Sequence, residues 1–253
     1  MKKVLIVTPT SAYKDYCVVD WAKAIGELTY PADVLIIDNT ADDGEHCRYL
    51  GKLKFGKKNV AIMHAPPMNK EKDLRFTMCR CNNLGLWYAL ENGYDYYMSI
   101  ESDVFPPCND AIERLISHQK EVVGFNYFIN KWHFSTSVSG GRFKISNNMV
   151  IDYIPKTCLD AFFDCTGEVV PVTGLGLGFL LIDMKVFDKV PCFRVSENQF
   201  LTQKKDDMIH ADTFFHTDLA CVGITPYWDT RYTCEHRNQK WSDVWNMERL
   251  KKK

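Results

Sequence analysis

The chain has 253 residues, 46% of them hydrophobic and 25% charged, and its 31 basic against 32 acidic side chains leave a formal charge of −1. That length suits one core, because a single core keeps growing to roughly 250–300 residues, and the balanced charge excludes a global basic field for nucleic acid. No stretch approaches the ~20 consecutive apolar residues of a membrane span, and no charged-plus-apolar leader opens the chain, so a cytoplasmic protein without a transmembrane segment is expected.

Val4–Val7 is a run of β-branched and apolar residues without polar alternation, the pattern of a strand covered on both faces, and it ends at Thr8-Pro9-Thr10. Residues 15–29 read as a helix and Val34–Ile37 as a second buried strand ending at Asp38-Asn39-Thr40. Strand, helix and strand in this order imply a right-handed parallel unit. Asn59–His64 is predicted as a third strand, Asp73–Asn92 as a long helix stopped by Gly93, and Asp95–Ile100 as a fourth strand ending at Glu101-Ser102-Asp103. Open α/β sheets place their ligands outside the carboxyl ends of such strands, so these polar strand ends define one rim.

Beyond Pro106-Pro107 a helix is predicted over Asp110–Gln119 and a strand over Val122–Tyr127. From about 128 to 170 the runs are short and aromatic or β-branched, with Ser139-Gly140-Gly141 reading as a hairpin turn. Val172–Asp183 combines glycines with an apolar run, Asp206–Leu219 reads as a helix, and Arg237, Lys240, Arg249 and Lys251–Lys253 make the tail basic. Ten cysteines are scattered, and Cys79 and Cys81, one residue apart, suit neither a zinc knuckle nor a redox dithiol. They are expected to be reduced and structural. One domain with two halves is expected, residues 1–103 and residues 104–253.

The most informative segment is YDYYMSIESDVFPP, Tyr94–Pro107. An apolar strand that delivers two carboxylates one residue apart into a polar turn can hold a hard divalent cation, which needs oxygen ligands. By spacing alone, an acidic solvated turn fits equally well. The glycines at 174, 176 and 178 are not a dinucleotide fingerprint, because they precede an apolar strand instead of following one and opening a helix.

Taken in order, Thr8 after the first strand, Asp38-Asn39, CRCNNLG around Arg80, ESD at 101–103, VTGLGLGFLLIDMKVF at 172–187, HADTFF at 210–215 and CEH at 234–236 resemble the family 2-like GT-A glycosyltransferases across nearly the whole chain. The resemblance implies an α/β GT-A fold, a Rossmann-like nucleotide-binding half joined to an acceptor half around one mixed central sheet. It also implies Mn2+ or Mg2+ as cofactor and a nucleotide sugar, a UDP- or GDP-sugar, as donor. Position by position, it sets Thr8 and Pro9 beneath the nucleotide and Asp38 on the base or ribose. Arg80, with Asn82 or Asn83, falls near the donor, where a guanidinium can pair with phosphate or hold an acidic strand end.

Glu101 and Asp103 match the metal-binding Asp-x-Asp, with Glu in place of the first Asp, and Asp103 is expected to ligate the metal with His236. Gly176 and Gly178 match the acceptor-side segment, where glycine lets backbone approach the sugar closely. Asp212, before an aromatic pair, matches the catalytic base, although Ala211 stands where the family often has an acid; Asp206, Asp207 and Asp218 are the substitutes. In inverting transfer such a carboxylate takes the acceptor hydroxyl's proton opposite a departing nucleoside diphosphate.

A retaining transferase and a catalytically silent homologue acting as a binding module are the alternatives. A sugar-nucleotide pyrophosphorylase would carry a glycine-rich basic loop after the first strand, which Thr8-Pro-Thr-Ser-Ala-Tyr lacks. The acceptor is left open among glycan, lipid-linked glycan, protein and modified nucleic acid. The aromatic stretch Phe125–Phe134, with Trp132 and His133, and the basic cluster Lys52–Lys58 are the segments that bear on it.

Overall fold

Each apolar run of the N-terminal half forms a strand, buried on both faces in the centre of the sheet and half-buried in the third run. The computed structural model describes residues 1–68, 74–130, 133–134, 136–140, 143–145, 169–195 and 211–237. Strand β1 (Val4–Thr10) is buried throughout. Helix α1 (Asp15–Gly26) returns the chain to β2 (Asp33–Asp38), and α2 (Glu45–Leu50) to β3 (Val60–His64). Helix α3 (Leu74–Glu91) precedes β4 (Tyr96–Ile100), β5 (Val104–Phe105), α4 (Ala111–Ser117) and β6 (Val122–Asn130). There follow β7 (His133–Phe134), β8 (Thr136–Gly140), β9 (Phe143–Ile145), β10 (Val169–Pro171), β11 (Gly174–Leu175) and β12 (Phe179–Asp183). Helix α5 (Ala211–Cys221) and β13 (Tyr227–His236) complete the described chain.

The central sheet runs β10-β13-β6-β12-β4-β1-β2-β3, with β5 attached to β13 and β7 to β6. Strand β1 pairs parallel with β2 and β4, and β2 with β3, so four polar strand ends reach one edge as expected. Strand β12 enters antiparallel between β4 and β6, and β13 lies parallel to β6, which makes the sheet mixed. A second sheet, β11-β8-β9, is antiparallel. In it Gly140 pairs with Phe143, the hairpin expected around Ser139-Gly140-Gly141.

Side chains alternate across β1 and feed two cores. Val4 and Ile6 pack with Trp21 and Ile25 of α1 and Leu115 of α4, while Leu5 and Val7 pack with Leu86 of α3 and Phe215 of α5. Each such side chain, fully removed from water, contributes about 1.5–3 kcal/mol. Gly85 lets α3 close onto the sheet, since a Cβ there would sit 2.3 Å from Val7 Cγ1. The residues expected to contact the donor from α3 are thereby brought under the rim.

Element ends differ from the sequence reading where tertiary contacts intervene. Helix α1 stops at Gly26 rather than residue 29, because the Thr29 N–H donates to Asn109 O instead of continuing the helix. Helix α4 stops at Ser117, before Gln119 at φ 54. Helix α3 does stop before Gly93, whose φ of 64 supplies the left-handed turn. Its predicted first residue, Asp73, lies outside the described residues, as do His210, residues 206–207 and the tail from 238 onward. The eight described cysteines form no disulfide with one another. Among the described residues, no helix is long and apolar enough to cross a membrane.

Candidate functional site

The turn after β4 organises the rim. The Val104 N–H donates to Glu101 O at 3.0 Å, and Ser102 turns inward, its hydroxyl 2.8 Å from that of Thr10 in a buried pair. Glu101 and Asp103, one residue to either side, remain to interact with each other and with the cleft. Strand β5 then pairs antiparallel with the end of β13, matching Val104 to His236. This pairing brings together residues 133 positions apart: His236 Nε2 lies 3.3 Å from Asp103 Oδ2, and the Arg237 N–H donates to Asp103 O at 2.9 Å.

Asp103 is almost completely buried, and its Oδ2 also accepts a hydrogen bond from the Lys14 ammonium, which enters from the single turn after β1. Its Oδ1 is buried without a hydrogen-bond partner among the described residues. Burial pushes the Asp103 carboxyl up, but His236 and Lys14 outweigh it and hold the group below the ordinary carboxylate range. Glu101 is perturbed the other way. Burial first, then the negative charge of Asp103, raise it to about 7, with Asp212 adding to the rise while His236 and Lys14 oppose it. Two carboxylates one residue apart therefore hold opposite preferences for a proton, which marks a site crowded with negative charge.

The glycine segment closes the site from the other side. The Gly178 N–H donates to Tyr127 Oη at 3.1 Å, and the Glu101 N–H donates to Gly178 O at 3.1 Å. A Cβ on Gly178 would lie 2.6 Å from the Tyr127 ring, so the glycine is needed for this close approach. That ring packs edge-on against His236 with centroids 5.4 Å apart. Gly176, also buried, lies in the connection between β11 and β12. Ser99 Oγ donates to Leu177 O at 2.5 Å and ties the same connection to β4.

Asp212 stands in the first turn of α5 and lines a small cleft together with Glu101, Pro9, Asn82, Ser99 and Leu177. Its Oδ1 accepts the Thr213 N–H at 2.7 Å. The helix is set by His216, absent from the sequence reading: its Nδ1 donates to Asp212 O at 2.7 Å, and its Nε2 accepts the Leu175 N–H at 3.1 Å. Those two bonds specify the neutral Nδ1–H form, and burial holds the imidazole below its ordinary 6.5.

The remaining predicted residues are placed differently. Thr8 is fully buried in the sheet, and its hydroxyl has no hydrogen-bond partner among the described residues. Asp38 is fully buried as well. Its Oδ1 accepts from Thr40 N, Thr40 Oγ1 and His46, and its Oδ2 from Cys47 Sγ, so a base or ribose would reach it only by exchanging one of these. Arg80 donates to Ala65 O and Pro66 O and fastens the chain leaving β3. Asn83 is clamped in both directions to the backbone of Phe193, donating to its O and accepting its N–H at 2.8 Å each. Asn82 accepts from Tyr97 Oη at 3.0 Å on the cleft floor.

Of the basic cluster, Lys58 is engaged by Leu28 O and Tyr30 O, and Trp132 lies outside the described residues. Lys14 and His216 are the functional candidates that sequence reading missed. Lys14 carries no motif, and His216 is signalled only by its four-residue spacing from Asp212 on one helix face.

No family model matches the chain, and no curated protein does. Solved structures match over most of its length. A mannosyltransferase, PcManGT from Pyrobaculum calidifontis in complex with GDP-Man and Mn2+, aligns with a TM-score of 0.55 at 12% identity, covering 92% of this chain and 56% of that one. S. aureus TarS 1–349 aligns with a TM-score of 0.52 at 9% identity, covering 92% of this chain and 59% of that one. This chain thus spans less than two thirds of either structure. At such identities the likeness concerns the fold, and with the parallel quartet β3-β2-β1-β4 continued by an antiparallel β12 it makes this a mixed α/β protein of GT-A type.

Proposed function

We propose that the protein is a metal-dependent glycosyltransferase that moves a sugar from a nucleotide-sugar donor to an acceptor hydroxyl with inversion. The observation that carries this reading is the convergence of Asp103 and His236 at the end of β4, beside a cleft whose wall holds both Glu101 and Asp212. A cation fits the donor set. Asp103 keeps a buried, unpartnered Oδ1, an imidazole lies within reach, and Glu101 is driven toward its neutral form by burial first and then by the charge of Asp103. Carboxylate-rich sites of this kind suit Mg2+ and Mn2+. Asp103 and His236 would hold the ion, which when bound neutralises the diphosphate leaving group.

The rest is done by the chain itself. The rim formed by Thr8, Pro9 and Asp38 seats the nucleoside, with Asp38 keeping the β2 end in shape through Thr40 and His46. Arg80 and Asn83 serve the donor through the segments they fasten, those after β3 and around Phe193. The Gly176–Gly178 backbone lies where sugar and acceptor meet. Asp212, oriented by the Thr213 N–H and by His216, accepts the proton of the attacking hydroxyl. A UDP- or GDP-sugar is the donor class; GDP-Man in the solved mannosyltransferase supports testing the guanosine conjugate first.

Thermal unfolding of the purified protein with UDP, GDP, CMP and their sugar conjugates, with and without Mn2+, tests the reading. A ligand at a hundred times its Kd adds about 2.7 kcal/mol. One nucleotide is expected to give a Mn2+-dependent rise that Asp103→Ala abolishes. No rise with any nucleotide would overturn the transferase reading.

A further inference from the structure

Asp103 already has a cation. Lys14 Nζ is bonded to the same Oδ2 that faces His236, and the lysine side chain remains about one-third exposed while the Asp103 side chain is 2% exposed. Oδ1 is open, but Oδ2 is the oxygen that faces His236, so a divalent ion held between Asp103 and His236 meets the Lys14 ammonium at the oxygen it needs. Lys14 lies on a three-residue turn between β1 and α1 and has solvent on one side, so it can swing out without breaking either element. Removing one partner of a buried pair leaves the other charge uncompensated, so Asp103 without Lys14 demands a replacement cation.

From this we propose that Lys14 is a tethered counter-ion that occupies Asp103 in the metal-free protein and competes directly with the divalent ion for it. The inference rests on the metal-dependent reading above and adds a residue to it. Only the fraction of molecules in which Lys14 has left Asp103 can take the ion, and the apparent affinity is lowered by that fraction. Lys14 thereby keeps the buried carboxylate satisfied between turnovers and weakens the grip on metal, favouring release with the nucleotide product.

The test is Mn2+ binding followed by electron paramagnetic resonance and calorimetry, without nucleotide or turnover, on the wild-type protein, Lys14→Met, Lys14→Arg and Asp103→Asn. Lys14→Met is expected to bind Mn2+ about tenfold more tightly than wild type, the factor for a lysine that holds Asp103 about nine-tenths of the time. Lys14→Arg, which keeps the charge, stays near wild type, and Asp103→Asn loses the ion. Lys14→Gln, similar in length and polar, repeats the measurement should the methionine variant fold poorly. Equal affinity in wild type, Lys14→Met and Lys14→Gln, with loss in Asp103→Asn, overturns the competition while leaving the metal reading intact. Absence of binding in every variant overturns both.

Discussion

Two buried histidines, one in each half of the molecule, show how differently the two sides of the cleft are held. In the parallel half His46 bridges two carboxylates, its Nδ1 2.8 Å from Asp38 and its Nε2 2.8 Å from Asp15. Burial opposes its charge, but the two carboxylates prevail and raise it above its ordinary 6.5. In the second half His216 has its two ring nitrogens bonded to backbone, Asp212 O and Leu175 N, and burial depresses it. The parallel half is thus locked by charge around Asp38, whereas the start of α5 is locked by directional bonds to the main chain. A charge network holds the end of β2, while backbone bonds hold the first turn of α5 in one orientation.

The sharpest way to break this comparison is at the acid itself. Asp212→Asn keeps an acceptor for the Thr213 N–H, so its melting temperature is expected to stay near wild type while sugar transfer falls about 10²–10⁴-fold. Full activity in that variant would move the base elsewhere, Asp218 being the described alternative, though its carboxylate is paired with Arg194 at 2.5 Å.

Glycine substitutions separate packing from site. A methyl group at Gly85 meets Val7 and one at Gly178 meets Tyr127, and either overpacking costs about 1–3 kcal/mol in chemical denaturation. Gly178→Ala should in addition weaken Mn2+ and nucleotide binding, because Tyr127 supports His236; Gly85→Ala should leave binding of the folded fraction unchanged. Equal effects on binding would show that the Tyr127 contact does not position the histidine.

Opposite pH signs follow from the two histidines. The raised His46 contributes stability that is fully present below 6.5 and is lost as pH rises through its folded value. The depressed His216 contributes stability that is present above 6.5 and is lost as pH falls toward its folded value. Comparing melting curves from pH 5 to 9, His46→Gln should lose more stability in the acid part of the range and His216→Gln more in the alkaline part. Matching profiles would end the contrast between the halves. The smallest effect belongs to the buried hydroxyl pair: Thr10→Val with Ser102→Ala should cost less than either change alone, within about 1 kcal/mol in a double-mutant cycle, because no buried hydroxyl is then left unpaired.

The parallel quartet was readable from apolar runs because β1, β2 and β4 are covered on both faces and half-buried β3 keeps a short apolar run, and Gly93 marked the end of α3 because glycine takes that turn cheaply. Strand β13 was not readable. YWDTRYTCEH mixes aromatic and polar residues without a period, and its bulge, between Trp228 and Thr233, is held by buried Asp229 against Arg231 and His118. Motif order singled out Glu101, Asp103, His236 and Asp212; in the fold His236 lies 3.3 Å from Asp103, and Glu101 and Asp212 line one cleft. It could not single out Lys14, whose only distinction is where the turn after β1 points.

Sequence alone determined the alternation of strands and helices, the polar strand ends and the pair of carboxylates, since these depend on residues near one another in the chain. Tertiary structure decided which side chains are already spoken for, turning Asp38, Arg80 and Asn83 into fasteners of the rim and setting Lys14 on Asp103. The physical reason is that hydrogen bonds and ion pairs are satisfied by whatever lies within about 3 Å, and in a folded chain those neighbours come from 8 to more than 100 residues away.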